Sequence, residues 1–303
     1  LQKKLATASE HSHNHSSYDD LAELDRQPTG DPLLDFAVNH MSLANASYES
    51  LLVCASRLGC VGVELRTDLA AELFDGKSAQ SASFAAQQHG LRILALSEVC
   101  AFNDFTDAKR EEAAAVIQIA ADCGAEAISL IPRNDGIGCA EGERQNNLLK
   151  ALQGLQPLLE AHNLVGLIEP LGFTHCSLRN KGDVVEAIDA LGVGHCFKLV
   201  HDTFHHYLAG GPVFPEHTAI VHVSGVTDAS VSNHDMRDSH RVLVDAKDRL
   251  GNIAQLDALG TGGYQGPVSF EAFSPTVHQL ADPVTALRES ISFIKSSRAA
   301  VAA

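Results

Sequence analysis

Basic residues are scarce in this 303-residue chain: 22 Lys and Arg stand against 38 Asp and Glu, a formal net charge of −16. No run of Lys and Arg is longer than two. Nucleic acids and anionic membrane surfaces are gripped by such residues, so neither is expected as a partner. No stretch reaches the roughly 18 apolar residues of a membrane span, and residues 1–17 lack the apolar core of a secretory signal. The seven cysteines (54, 60, 100, 123, 139, 176 and 196) form no CxxC pair. Scattered thiols on apolar segments read as reduced and buried, which places the expected setting in the cytoplasm. Neither GxGxxG nor GxxxxGK(S/T) occurs, so the usual phosphate turns of nucleotide-binding open sheets are missing.

What is present is an ordinary soluble composition, 45% hydrophobic and 20% charged, with 16 histidines as the one anomaly. Residues 1–31 are polar and are expected to be a flexible tail; His11, His13 and His15 alternate within it. From Asp35 onward, short apolar, β-branched runs recur at 35–39, 61–65, 91–96, 127–131, 165–169, 197–201, 219–223 and 267–271. Nearly continuous runs of this length fit parallel strands buried on both faces. Helical patterns fill gaps between them, at 47–58, 106–123, 144–162 and 281–296. Gly59, Gly90 and Gly124 stand where left-handed helix ends are wanted. Strands alternating with helices, without a low-complexity linker, predict one (β/α)8 TIM barrel over residues 32–303. The long polar segment 224–252 between the seventh and eighth strands is expected to cover the active-site end.

Functional groups of such barrels sit at the C-terminal ends of the strands. The last polar residues of the four late strands are Glu169, Asp202, His222 and Glu271. Three carboxylates and an imidazole converging at one place would repel one another without a cation. The O/N donor set suits one hard to borderline divalent metal ion: Mn2+, Mg2+, Co2+ or Zn2+. His201 precedes Asp202 and by strand alternation points the opposite way, into packing. His175, in the turn after the fifth strand, is a candidate substrate contact.

The stretches GCVGVELRTDL (59–69), GLIEPLGFTHCSLRN (166–180), HDTFHHYLAG (201–210), IVHVSGVTD (220–228) and VSFEAFSP (268–275) resemble the xylose isomerase-like family of sugar isomerases and epimerases, and its inosose isomerases most. The resemblance spans residues 35–295. It implies a single divalent metal, Mn2+ first, held by Glu169, Asp202, His222 and Glu271. It implies that Glu169 and Glu271 also serve as the acid/base pair across a keto-sugar or keto-inositol that reacts through a cis-enediolate. It further implies a place in carbohydrate metabolism such as inositol catabolism, a homo-oligomer, and substrate contacts from His205, Arg241 and Glu64. A lyase or dehydratase on the same scaffold is the alternative, because the two share proton abstraction beside a carbonyl. Segment 224–252 departs from the family pattern: DRLGNI (248–253) stands where a PGxGxID turn is expected.

Overall fold

The computed structural model describes residues 35–301; the expected tail 1–31, with its alternating histidines, lies outside them. Eight parallel strands close into a barrel in sequence order. They are β1 (Phe36–Asn39), β2 (Gly62–Arg66), β3 (Arg92–Cys100), β4 (Ala127–Ile131), β5 (Val165–Ile168), β6 (Phe197–Asp202), β7 (Thr218–Val223) and β8 (Val268–Phe270). The helices are α1 (Tyr48–Arg57), α2 (Ala79–Gln88), α3 (Asp107–Cys123), α4 (Glu143–His162), α5 (Lys181–Leu191), α6 (Thr203–Ala209), α7 (Asn252–Thr261), α8 (Pro275–His278) and α9 (Pro283–Val301). The predicted (β/α)8 barrel is the observed fold. No described helix is long and apolar enough to cross a membrane.

Helix starts follow side-chain capping: Ser47, Ser78 and Thr106 accept main-chain N–H bonds at the heads of α1, α2 and α3. Gly59, Gly90 and Gly124 all adopt φ near +70°, as expected of residues that end helices. The pattern of α2 escapes a sequence reading because the helix buries only Ala82 and Ala86. Two alanines leave almost no apolar stripe to detect.

Strand alternation sorts residues between two environments. Val38, Val63, Leu65, Ile168, Val221, Val223 and Phe270 point outward into the large core beneath the helices. Ala37, Leu94, Leu167, Val200 and Ile220 belong to a separate cluster that plugs the barrel interior. One step further along the same inward rows come Asn39, Glu64, Glu169, Asp202, His222 and Glu271, all buried. The apolar plug therefore forms the floor, and the polar residues form a layer above it at the C-terminal ends of the strands.

Candidate metal centre

Glu169, Asp202, His222 and Glu271 each offer one ligand atom, and those atoms lie within 4.8 Å of one another. All four side chains are buried. They come together because β5, β6 and β8 each end at or one residue before a carboxylate, while His222 lies one residue before the end of β7.

Each donor is held by a distinct neighbour. Asp202 ends β6 and caps α6, its Oδ1 accepting the main-chain N–H of His205 at 2.7 Å. Its Oδ2 accepts a short bond, 2.5 Å, from Arg241 Nη2. Glu271 is the most heavily restrained: Oε1 accepts from Asn39 Nδ2 at 3.2 Å and Arg66 Nη1 at 3.0 Å, and Oε2 from Arg241 Nη2 at 2.9 Å. Glu169 is looser, with His222 Nδ1 at 3.6 Å and His205 Nε2 at 3.9 Å.

Glu64, expected as a substrate contact, stands on the inner face of β2. It is fully buried, and its Oε2 lies 3.0 Å from His222 Nε2. A carboxylate there keeps the imidazole proton on Nε2 and turns Nδ1 toward Glu169 and Glu271, the arrangement that orients metal-bound histidines. His222 Nδ1 is buried without a hydrogen-bond partner among the described residues, as a ligand atom should be before a cation is counted. The donor set therefore fits a divalent ion. We expect Glu64→Gln to weaken Mn2+ affinity about tenfold, the low end of such effects because the amide oxygen still accepts from Nε2. Calorimetric titration with Mn2+ measures it; unchanged affinity would mean that Glu64 does not act through His222.

Charge balance points the same way. Burial opposes a charged imidazole, yet Glu271, Glu64 and Glu169 outweigh it and push His222 well above its ordinary value. Burial, then Glu271, raises Glu169. Glu271 sits low despite burial, because His222, Arg241 and Arg66 surround it. A divalent cation would replace the imidazole proton as the neutralising charge, since ligation needs the neutral ring.

Arg241 comes from the long segment after β7, which folds back on itself through an antiparallel bridge between Gly225 and Val242 and brings Arg241 onto the cluster. The guanidinium is fully buried and bonds Ser224, Asp238, Asp202 and Glu271. It thus lies on two of the four candidate ligands. His205 is buried beside Glu169, with Nδ1 unpartnered among the described residues. His175 is not brought to the cluster; it is exposed on the rim, stacked on Phe173 with ring centroids 5.6 Å apart.

Two further residues of the site carried little signal in the sequence. Arg66, the last residue of β2, bridges Asp68, Glu98 and Glu271. Glu98 was missed because the run at 91–96 stops before it, whereas register shifts against both neighbours carry β3 on to Cys100. Burial pushes Glu98 up to about 7, with Arg66 pulling the other way. His201 does face outward: Lys181 Nζ donates to its Nδ1 at 2.9 Å and to His206 Nδ1 at 3.0 Å. With Nδ1 accepting, His201 Nε2 donates to Gln255 Oε1 at 2.9 Å.

Known structures share this architecture. A xylose isomerase domain-containing protein from Salmonella typhimurium LT2 is 27% identical, with a TM-score of 0.80 over 88% of this chain and 97% of its own. The IolI protein, solved with a bound zinc atom, is 20% identical, with a TM-score of 0.76 and coverage of 88% and 97%. The probable 3-DHS dehydratase AsbF from Bacillus anthracis is 13% identical, with a TM-score of 0.68 and coverage of 85% and 98%. No curated protein sequence matches the chain. The family model described as xylose isomerase-like TIM barrel matches residues 53–297, from within α1 to within α9. With the closed barrel and the matched span together, the chain belongs to the xylose isomerase-like TIM barrel family.

Proposed function

We propose that this chain is a divalent-metal-dependent isomerase or epimerase acting on a keto-sugar or keto-polyol of the inosose type, with Glu169 and Glu271 moving the proton. The observation that carries the reading is the convergence of Glu169, Asp202, His222 and Glu271 in a buried layer at the C-terminal mouth of the barrel. Those four residues would hold one ion, Mn2+ first, with Mg2+, Co2+ and Zn2+ also suited to the donors. Such an ion supplies polarisation of a carbonyl and stabilisation of enediolate charge.

The protein's own groups supply the rest. Shifting a carbonyl requires a proton to leave the carbon beside C=O and another to return to a neighbouring carbon. Glu169 follows β5 and Glu271 follows β8, so the two carboxylates approach from well-separated sectors of the barrel. A base on one face and an acid on the other can act across a planar enediolate. Asn39, Arg66 and Arg241 fix the plane of the Glu271 carboxylate. The Glu169 oxygens are held more loosely, with His222 Nδ1 at 3.6 Å and His205 Nε2 at 3.9 Å, and in this reading His205 passes a proton or holds a substrate hydroxyl.

The test is incubation of Mn2+-loaded protein with a panel of ketoses and 2-keto-myo-inositol in deuterated water, followed by NMR. Deuterium entering beside the carbonyl supports the reading; neither exchange nor isomer with any substrate sinks it. A lyase or dehydratase is the second reading, favoured by the departure of segment 224–252 from the family pattern. A product lighter by water or an aglycone identifies it, whereas an isomer has unchanged mass. All seven cysteines are free thiols, which supports a reducing, cytoplasmic setting; a homo-oligomer is part of the same proposal.

A further inference from the structure

Lys181 opens α5 and is only 8% exposed. Burial and the positive end of the helix dipole both weigh against a lysine there. Among the described residues no carboxylate bonds it. Its Nζ donates instead to His201 Nδ1 at 2.9 Å and to His206 Nδ1 at 3.0 Å. Burial pulls Lys181 down to about 7, with Asp202 and then Glu169 opposing. Charged or neutral, the amine keeps at least two N–H bonds, one for each ring. Both rings stay neutral acceptors, because burial and then Lys181 lower them, His206 to about 4.

The two histidines bracket the corner at which β6 turns into α6. His201 stands just before Asp202, and His206 just after His205. Asp202 and His205 reach the centre, whereas His201 and His206 meet the same amine behind it. α6 has seven residues, too few for a helix to hold its own place. Asp202 Oδ1 pins its head from within by accepting the His205 main-chain N–H at 2.7 Å. Lys181 and Gln255 pin it from outside. Gln255, on α7, accepts from His201 Nε2 at 2.9 Å and donates to the Thr203 and Leu250 carbonyls at 3.1 and 2.8 Å. Leu250 belongs to the DRLGNI turn at the end of segment 224–252. One line of side-chain bonds thus joins α5, β6, α6, α7 and that turn. The Arg241 guanidinium lies 5.2 Å over the ring of Phe204, also on α6. A shift of this short helix would therefore move Asp202, His205 and the ring beneath Arg241 together.

We propose that Lys181 is a positioning residue: by clamping His201 and His206 it fixes the β6–α6 corner and so sets where Asp202 and His205 stand in the metal centre. The inference rests on the metal-dependent reading above and deepens it. Lys181 acts through the two rings, not by contact with ion or substrate.

Three variants of the full chain test it. Lys181→Met fills the space of the stem and removes both donors. His206→Leu removes one acceptor, whereas His206→Asn keeps an acceptor near the Nδ1 position. Thermal melts check that each folds; His206 is half-buried, so its two variants carry the test even where Lys181→Met does not fold. Calorimetric titration with Mn2+ should show affinity lowered about tenfold in Lys181→Met, the scale of losing a group that orients ligands. The loss should be smaller in His206→Leu and absent in His206→Asn. Lys181→Met combined with His206→Leu should bind no more weakly than Lys181→Met alone, because both remove the same clamp. Amide hydrogen exchange of residues 203–209 in the metal-free chain should quicken in Lys181→Met and His206→Leu, with α3 unchanged. Wild-type Mn2+ affinity in Lys181→Met, equal affinity in the two His206 variants, or additive losses in the double variant overturns the proposal. Faster exchange without weaker Mn2+ binding also overturns it, since the clamp would then hold a helix and not a ligand. Wild type that binds Mn2+ but exchanges no substrate deuterium loses the keto-sugar reading alone, and the clamp is still read from affinity. Wild type that binds no Mn2+ loses the metal reading, and the proposal falls with it.

Discussion

Glu271→Gln should lower kcat about a thousandfold, the scale of losing a positioned acid/base group, while the barrel stays folded. The amide has nearly the shape of the carboxylate but can neither take nor deliver a proton at the substrate carbon. It also removes one charge from the candidate ligand set, so metal affinity should fall with turnover. Asn39, Arg66 and Arg241 all donate to the Glu271 oxygens. Glutamine offers one acceptor oxygen and one NH2 group, so at least one of these donors meets a donor. A modest loss of melting temperature is therefore expected alongside the kinetic loss. Saturating Mn2+ separates the two effects: it should restore occupancy without restoring turnover. Wild-type deuterium exchange in the metal-saturated variant would remove Glu271 from the proton-transfer role.

Arg241→Met should destabilise the metal-free chain by about 3–5 kcal/mol, the cost of stripping a buried charge cluster of one partner. The guanidinium is fully buried and bonds Asp202, Glu271, Asp238 and Ser224 together. Methionine fills the space of its stem but leaves Asp202 and Glu271 facing each other without that cation. Arg241→Lys should recover little, because a single ammonium cannot reach four acceptors spread around a planar fork. Urea unfolding of wild type and both variants, with and without Mn2+, measures the effect. Added metal should return part of the lost stability, since a divalent ion neutralises the same carboxylates. A shift below about 1 kcal/mol in the metal-free state, typical of a surface pair, would show that the cluster does not depend on Arg241.

The barrel was legible because its strands are buried on both faces and read as uninterrupted apolar runs, and because Gly59, Gly90 and Gly124 mark helix ends by a backbone need that other residues meet poorly. The four candidate ligands were legible for a related reason: alternation sends one row inward, and a polar residue at the end of that row has nowhere to go but the mouth. What escaped was pairwise chemistry. Glu64 stands on β2 and His222 on β7, and nothing in the spacing of 158 positions announces that one holds the other's ring. Arg241 was visible as an arginine in a long loop, but its descent among the carboxylates depends on how segment 224–252 folds over the mouth. Glu98 was lost to a register shift that lengthens β3 beyond its apolar run.

The insertion of Arg241, with Arg66 beside it, also bears on the order in which the molecule is assembled. A cluster of buried carboxylates that waited for an external ion would leave the newly made chain unable to close, as in small zinc domains that stay unfolded until loaded. Here the counter-charge is encoded in the polypeptide, Arg66 on β2 and Arg241 on the loop. On the metal-dependent reading proposed above, the barrel would complete its folding first and take up an ion afterwards, so that loading would be a late step on a finished scaffold.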